Sequence, residues 1–172
     1  MMIVLCAVTI ALGSVLTREL ALREAAEQRL ARLAGTDALT ELPNRRSFDE
    51  TIGREWARAQ GDKTSLSLLM IDADLFKTYN DINGHQAGDA LLLALAVCIG
   101  ATPKRPADLA ARYGGEEFAI LLPDTSLSGA RDLAEQIHAQ IAKLDFQHPT
   151  SPTGKPTVSI GAASFVPQQS IT

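Results

Sequence analysis

An apolar segment that ends at an acidic residue constrains the fold of this chain more than any other feature. Residues 66–71 read LSLLMI, and Asp72 follows them directly. An apolar run of this length predicts a strand in the interior of a sheet, covered on both faces. Such a strand holds the side chain that follows it at a fixed place beside the core. Asp72 is therefore a candidate functional residue.

Helical and extended patterns alternate on both sides of this strand. Asn44 is predicted to cap a helix over residues 45–59. In that helix, Phe48, Ile52 and Trp56 recur every four residues and mark an apolar face. Further helices are predicted over residues 88–99 and 126–144, and further strands over residues 109–112, 118–122 and 157–165. This order predicts an α+β fold with helices flanking a mainly antiparallel central sheet.

Two glycines, Gly114 and Gly115, separate two of the predicted strands. Paired glycines favour a hairpin because they adopt positive φ angles easily. Glu116 and Glu117 follow them. If the hairpin lies beside the apolar strand, Asp72 and Glu116 converge, and their carboxylates repel each other unless a proton or a cation lies between them. Carboxylate oxygens suit Mg²⁺ or Mn²⁺, whereas the plainer alternative is that these acids only solvate loop ends.

The N-terminal part of the chain has a different composition. Residues 1–16 contain no charged residue and predict a transmembrane helix, or the remnant of one, in the bacterial inner membrane. The alternative is a buried N-terminal helix. Residues 17–35 contain four arginines, and the positive-inside rule then places the remainder of the chain in the cytoplasm. The leucine spacing in residues 17–35 predicts an amphipathic signalling helix that suits a parallel coiled coil.

The charge balance argues against one class of function. Sixteen basic and twenty acidic residues give a formal net charge of −4. Because a protein that neutralises nucleic-acid phosphates needs an excess of basic residues, no nucleic-acid partner is expected. A small anionic ligand is compatible with this charge where a metal ion supplies the positive charge.

Five segments together carry a resemblance to a known family. The segment RYGGEEF at residues 112–118 resembles the signature of the GGDEF family, the diguanylate cyclases. The other four are similar to further motifs of that family and follow the family order: DALTELPNRR at 37–46, DADLFKTYND at 72–81, NGHQAGD at 83–89 and VSIG at 158–161. A lone GGEEF would be a weak signal, whereas five ordered segments are a strong one.

The resemblance implies a GGDEF domain over residues 36–172, with a ferredoxin-like palm and a helix after the strand that ends at Asp72. It also implies an enzyme that condenses two GTP molecules into cyclic di-GMP and releases two pyrophosphates. Each copy of the domain would hold one GTP, so catalysis would require a homodimer. The implied catalytic residues are Asp72, Glu116 and Glu117. The same three side chains, together with the Ala73 carbonyl, would bind Mg²⁺ or Mn²⁺.

The resemblance also assigns substrate-binding residues. These are Asn80 and Asp89 for guanine, Phe76 beside the nucleotide, Lys77 and its turn for the terminal phosphates, Gly114 and Gly115 beside the α-phosphate, and His85. Three of them have plainer explanations from local structure. Asn80 could cap a turn, Asp89 could be a first-turn acid favoured by a helix dipole, and His85 could be a hydrogen-bonded core histidine.

A regulatory site is implied as well, because Arg105 and Asp108 match the RxxD site at which the product inhibits members of the family. An arginine fork suits this role because it binds a guanine edge or a phosphate through two hydrogen bonds. The plainer alternative is an ion pair within a surface loop.

The chain also departs from the family pattern. Glu41 stands where the opening motif usually has glycine. The family's final helix, with its phosphate-binding lysine and arginine, and its last short strand are expected to be absent. Weaker triphosphate binding and an exposed apolar patch on the sheet would follow. The alternative function is therefore a weak or inactive domain that acts as a receptor for cyclic di-GMP or GTP, and a third is a membrane-tethered structural module that only dimerises.

Overall fold

The computed structural model describes Arg18 and residues 35–166. The membrane segment predicted over residues 1–16 lies outside the described residues, as does nearly all of the helix predicted over residues 17–35. Within the described part of the chain, no helix is both long and apolar enough to cross a bilayer.

Within residues 35–166, four helices and four strands form an α+β fold with one central sheet. In chain order they are α1 (Arg45–Asp62), β1 (Leu66–Ala73), α2 (Phe76–Asn83), α3 (His85–Ala101), β2 (Leu109–Arg112), β3 (Glu117–Pro123), α4 (Leu127–Ile141) and β4 (Val158–Phe165). The strand order in the sheet is β2-β3-β1-β4, and every neighbouring pair is antiparallel. The predicted fold class and the predicted hairpin are confirmed.

The sheet buries apolar side chains on both faces, as the pattern of β1 predicts. Leu69 and Ile71 face a large core built with α2, α3 and α4. Leu68 and Met70 alternate with them and face a smaller core against α1, which contains the buried Phe48. Because side chains alternate along a strand, Asp72 continues the row of Leu68 and Met70 on the α1 side.

The helix boundaries differ from the predictions at several places. Helix α1 is capped as expected, because the Asn44 side chain accepts a hydrogen bond from the Ser47 amide at 3.1 Å. It continues beyond residue 59 to Asp62, where Lys63 ends it in the left-handed conformation with a φ of 57°. The helix is therefore three residues longer than the predicted range of 45–59.

The apolar pattern missed α2 and placed the start of α3 too late. Leu75 precedes α2 with a φ of 57°, and Gly84 separates α2 from α3 with a φ of 82°. Only Phe76 and Tyr79 of α2 are buried, so its apolar face is too short to produce a visible period. Helix α3 begins at His85 rather than near Gly88. The helix that the family resemblance implies after β1 is present.

An apolar patch lies where α1 meets the end of β4. The Trp56 and Phe165 rings stack with centroids 4.3 Å apart, and their residues are 39% and 41% exposed. Val166 beside them is also exposed. Trp56 thus follows the predicted helical stripe, but it lies at the margin of the core.

Candidate active site

The C-terminal end of β1 lies next to the glycine hairpin, where the strands of the sheet end. Asp72 lies opposite Glu117 in the antiparallel pairing of β1 with β3. One residue further on, the Ala73 amide donates a hydrogen bond to the Glu116 carbonyl oxygen at 3.2 Å. The four implied metal ligands therefore lie on two neighbouring chain segments, with Asp72 and Ala73 on one and Glu116 and Glu117 on the other. It is Glu117, rather than Glu116, that stands directly across from Asp72.

Asp72 and Glu117 line a cleft of about 350 Å³ on the α1 side of the sheet. Ser159 and Gly161 of β4 form the opposite wall. The pKa of Asp72 is raised by partial burial, by the negative charge of Glu117 and by that of Asp74. Each of these causes favours the protonated acid in the absence of a compensating cation. A divalent cation at this place would remove the repulsion.

The donor set fits a hard divalent cation. Within the residues that the structure describes, no three His, Cys, Asp or Glu side chains form a ready-made metal cluster. Mg²⁺ needs less than that, because it commonly binds through one or two carboxylates while nucleotide phosphates and water complete its coordination. Asp72, an acid of the hairpin and the Ala73 carbonyl oxygen supply ligands of this kind.

The hairpin is held by a residue to which the sequence assigned no role. Arg112 donates to the Gly115 carbonyl oxygen through Nε at 3.2 Å and Nη2 at 2.6 Å. Its Nη1 donates to Asp37 Oδ1 at 2.9 Å. Arg112 and Asp37 both lie in segments that resemble family motifs, which marks them as candidate functional residues. Their spacing in the sequence does not indicate that they pair.

The hairpin glycines act differently from the prediction. Neither Gly114 nor Gly115 has a positive φ, so the expected reason for the pair is wrong. A Cβ atom on Gly114 would lie 2.2 Å from Glu117 Oε2, whereas one on Gly115 would meet nothing within 4 Å. Gly114 therefore leaves room for the Glu117 carboxylate, and Gly115 leaves an open surface beside it.

A second group of predicted residues meets where α2 approaches α3. Asn80 Oδ1 is buried and has no hydrogen-bond partner among the described residues. A Cβ atom on Gly88 would lie 1.7 Å from this oxygen and 3.2 Å from Phe76 Cζ. Gly88 thus gives the Asn80 amide its place beside the buried Phe76 ring, where Asn80 Oδ1 is covered and lacks a partner among the described residues.

The plainer explanations for three of these residues do not hold. Asn80 lies inside α2 rather than at a cap. Asp89 lies beyond the first turn of α3, because that helix begins at His85. His85 is exposed and is not a core histidine. Lys77 and Asp89 are exposed as well, so the side chains of His85, Lys77 and Asp89 can each contact a ligand that arrives from solvent.

Arg105 and Asp108 form the ion pair that their spacing allows. Arg105 donates through Nη2 to Asp108 Oδ1 at 2.6 Å and through Nε to Oδ2 at 3.3 Å. The Arg105 guanidinium also bonds the Thr125 hydroxyl. The Arg105 side chain is 46% exposed, whereas that of Asp108 is 4% exposed. The arginine is therefore anchored yet open to solvent.

Comparisons with known proteins identify the family of this chain. A family model described as the diguanylate cyclase GGDEF domain matches residues 34–172. The chain is 44% identical over 132 residues to the diguanylate cyclase DgcP of Pseudomonas aeruginosa, and 40% identical over 147 residues to the diguanylate cyclase DgcM of Escherichia coli. These alignments cover 76% and 84% of this chain, but 19% and 34% of the relatives. The chain thus spans a fifth to a third of their length.

Solved structures agree as well. The GGDEF domain of DgcB from Caulobacter crescentus, in complex with c-di-GMP, is 38% identical, with a TM-score of 0.71 over 78% of this chain and 79% of that one. The coiled coil and GGDEF domain of the same protein are 34% identical, with a TM-score of 0.72 over 93% of this chain and 84% of that one. By its family match, its identity to these relatives and its fold, this chain belongs to the GGDEF domain family.

Proposed function

We propose that this chain is a diguanylate cyclase domain, which condenses two GTP molecules into cyclic di-GMP and two pyrophosphates. One observation carries the proposal: the hairpin acids Glu116 and Glu117 join the end of β1 at Asp72 and Ala73. This arrangement supports a site for a metal-bound triphosphate. The relatives named as diguanylate cyclases add independent support.

In the proposed reaction, each of two domains binds one GTP, and the domains face each other. The 3′ oxygen of each GTP attacks the α-phosphorus of the other. A bond forms between that oxygen and the phosphorus, the bond from the α-phosphorus to the bridging oxygen breaks, and pyrophosphate leaves with the electron pair. The hydroxyl proton goes to a base, for which Glu117 is the candidate. Because each GTP supplies both a nucleophile and an electrophile, a homodimer completes the ring.

The proposed metal ligands are Asp72, Glu116, Glu117 and the Ala73 carbonyl oxygen. A bound Mg²⁺ or Mn²⁺ would supply charge neutralisation for the triphosphate and for the leaving pyrophosphate. The residues themselves hold the reacting groups in line. Gly115 leaves the hairpin surface open to the α-phosphate, and the exposed Lys77 lies near the start of α2 for the terminal phosphates.

Guanine selection is proposed for Asn80 and Asp89. The Asn80 side-chain amide offers both a donor and an acceptor, and the exposed Asp89 carboxylate can accept from the N1–H and N2–H₂ edge. Adenine lacks the N1–H donor and the amino group at that position, so it would leave these acceptors unpaired. A site that loses such hydrogen bonds discriminates strongly against the wrong base. Phe76, whose ring lies beside Gly88, would pack near the nucleotide.

Regulation and location complete the proposal. Cyclic di-GMP would inhibit the enzyme by docking at Arg105 and Asp108, where the guanidinium is fixed but open to solvent. The segment over residues 1–16 would anchor the protein in the bacterial inner membrane, with the catalytic domain in the cytoplasm. The helix over residues 17–35 would bring two copies together.

The test is incubation of the purified chain with GTP and Mg²⁺, followed by chromatography of the nucleotides. We expect cyclic di-GMP and pyrophosphate from the wild-type protein and neither product from Glu116→Ala. The main alternative is a receptor that binds cyclic di-GMP through Arg105 without making it. Product binding without turnover in the wild-type protein would favour that receptor and contradict the proposed enzyme.

A further inference from the structure

Asp74 lies two residues after Asp72, in the turn that follows β1, and both oxygens of its carboxylate already accept hydrogen bonds. Its Oδ2 accepts a hydrogen bond from Thr157 Oγ1 at 2.7 Å, and its Oδ1 accepts one from Ser159 Oγ at 2.6 Å. The Asp74 amide also donates to the Thr157 carbonyl oxygen at 3.0 Å. Asp74 thus fastens the end of β1 to the beginning of β4.

This clamp acts on the segment of chain that leads into the nucleotide site. Ala73 is fixed from one side by its hydrogen bond to the Glu116 carbonyl, and Asp74 is fixed from the other side by β4. Leu75 follows with a φ of 57° and a ψ of 23°, a conformation that costs a side-chain-bearing residue free energy. A strained residue persists only where its surroundings hold it, and the clamp adjoins it directly.

Leu75 also sets the direction of α2. It is the residue at the N-cap of that helix, and it makes no side-chain capping hydrogen bond. The direction in which the first backbone N–H groups of α2 point is therefore set by the backbone of the turn that precedes the helix. The same helix carries Phe76 and Asn80, so the orientation of the turn also fixes the proposed guanine pocket.

We propose that Asp74 is a positioning residue for this site, acting through the hydroxyls of Thr157 and Ser159 rather than as a metal ligand. It holds the turn over residues 73–75 so that the Ala73 carbonyl and the first amides of α2 face the nucleotide. The contacts of Asp74 carry this inference. Its consequence for GTP rests on the proposed function.

Two substitutions of Asp74 separate positioning from metal binding. Asp74→Asn removes the charge but keeps the clamp, because the amide accepts from one hydroxyl and donates to the other, and a hydroxyl can do both. Asp74→Ala removes the clamp entirely. The double variant Thr157→Val with Ser159→Ala removes the two donors and leaves the carboxylate in place. Asp132→Ala, at an exposed aspartate of α4, serves as the control.

Two measurements are made on each full-length variant. Isothermal titration with a GTP analogue that cannot cyclise, in the presence of Mg²⁺, gives the affinity for the nucleotide. Amide hydrogen exchange by NMR gives the protection of residues 73–77 in the absence of any ligand. The exchange measurement reports on the clamp even if the protein binds no GTP, so failure of the clamp and failure of the proposed function are distinguishable.

We expect Asp74→Ala and the Thr157/Ser159 double variant each to weaken analogue binding about tenfold, the loss typical of an outer partner of a bound group. Both should speed exchange at residues 73–77. Asp74→Asn should stay within about threefold of wild type in affinity, and adding Asp74→Ala to the double variant should cost little more. Three results would overturn the inference. The first is an equal loss of analogue affinity in Asp74→Asn and Asp74→Ala, and the second is wild-type affinity in the double variant when Asp74→Ala binds weakly. The third is a wild-type rate of amide exchange at residues 73–77 in Asp74→Ala.

Discussion

Arg112 and Asp37 lie 75 residues apart in the chain, and their side chains meet as an ion pair with Nη1 2.9 Å from Oδ1. Arg112 also holds the Gly115 carbonyl, so the pair connects the opening motif of the domain to the glycine hairpin. Asp37 in turn accepts hydrogen bonds from the Thr40 amide and hydroxyl. The hairpin that presents Glu116 and Glu117 is therefore fastened to the beginning of the domain.

This pair predicts a stability that depends on pH. Burial disfavours the charged form of Asp37, but hydrogen bonds from Arg112 and Thr40 outweigh it and hold the pKa below its ordinary value of 3.8. Ionised Asp37 therefore stabilises the fold at pH values above 3.8, and this contribution is lost as the pH falls through the lowered pKa. Asp37→Asn should lower the free energy of unfolding by about 1–3 kcal/mol at pH 7.

Urea unfolding at a series of pH values measures this effect. The difference between wild type and Asp37→Asn should shrink as the pH falls below about 4. A difference that stays constant down to pH 2 would show that the charge of Asp37 does not contribute.

The pH dependence of stability expected from Asp72 has the opposite sign, because burial and the negative charges of Glu117 and Asp74 all raise the pKa of Asp72. The folded state then favours protonated Asp72, and that stabilisation is lost as the pH rises through the raised pKa. At pH 7 the Asp72 carboxylate should therefore destabilise the fold. Asp72→Asn is expected to raise the melting temperature by roughly 1–2 °C in EDTA and to lower cyclase activity at least about a hundredfold. Scanning calorimetry and a GTP turnover assay measure the two effects, and a lower melting temperature would contradict the electrostatic account.

Gly88→Ala should damage nucleotide binding even though alanine is the better helix former. A Cβ atom at Gly88 would displace the Asn80 amide, which we propose binds guanine. Gly53 in α1 provides a matched control, because a Cβ atom there would meet nothing within 4 Å. We expect Gly53→Ala to stabilise the protein by about 0.5–1 kcal/mol, and Gly88→Ala to weaken GTP-analogue binding about tenfold or more. Thermal unfolding and calorimetric titration test both, and equal analogue affinity for the two variants would exclude Asn80 from the pocket.

Arg105→Ala should relieve inhibition by cyclic di-GMP. The substitution removes the fork that is proposed to bind the product, while the nearly buried Asp108 carboxylate keeps its hydrogen bond from the amide of residue 105. The inhibition constant for added cyclic di-GMP is expected to rise about tenfold or more. Arg105→Lys should recover little, because an ammonium group cannot form the paired hydrogen bonds of a guanidinium. Unchanged inhibition in Arg105→Ala would remove this site from the account.

Glu41 is predicted to destabilise the turn that it occupies. Its φ of 60° lies in the left-handed region, where a Cβ atom costs about 1–2 kcal/mol and glycine adopts the conformation freely. Glu41→Gly should raise the free energy of unfolding by about 0.5–1 kcal/mol, because the lost chain entropy offsets part of the relief. Glu41→Ala removes the same carboxylate without relieving φ, so it should give no such gain in urea unfolding. Equal stability of the two variants would refute the strain.

The sequence predicted the elements whose signal is local. The bounds of β2 are those predicted, and β1 is buried on both faces as its apolar run indicates. Helix α2 was missed from the apolar pattern because only Phe76 and Tyr79 of it are buried. Its start also depends on the left-handed Leu75, which nothing in the identity of a leucine predicts.

Contacts between distant segments were beyond prediction from one sequence. Arg112 and Asp37 each lie in a recognised motif, but nothing in either motif indicates that they pair. Asp74 carries a carboxylate, which is a common metal ligand. Only the register of β4 against β1 shows that Thr157 and Ser159 donate hydrogen bonds to that carboxylate. The family resemblance identified which residues matter, while the structure was needed to separate the acids at the cleft from the acid in the clamp.

The central claim is that Asp72 and the hairpin acids bind a divalent cation around which GTP is arranged. Calorimetric titration of the wild-type chain with a GTP analogue that cannot cyclise, once in Mg²⁺ and once in EDTA, tests it most directly. We predict tight binding that requires Mg²⁺, and loss of that requirement together with most of the affinity in Asp72→Asn. Equal affinity in Mg²⁺ and in EDTA for the wild-type protein would contradict the claim.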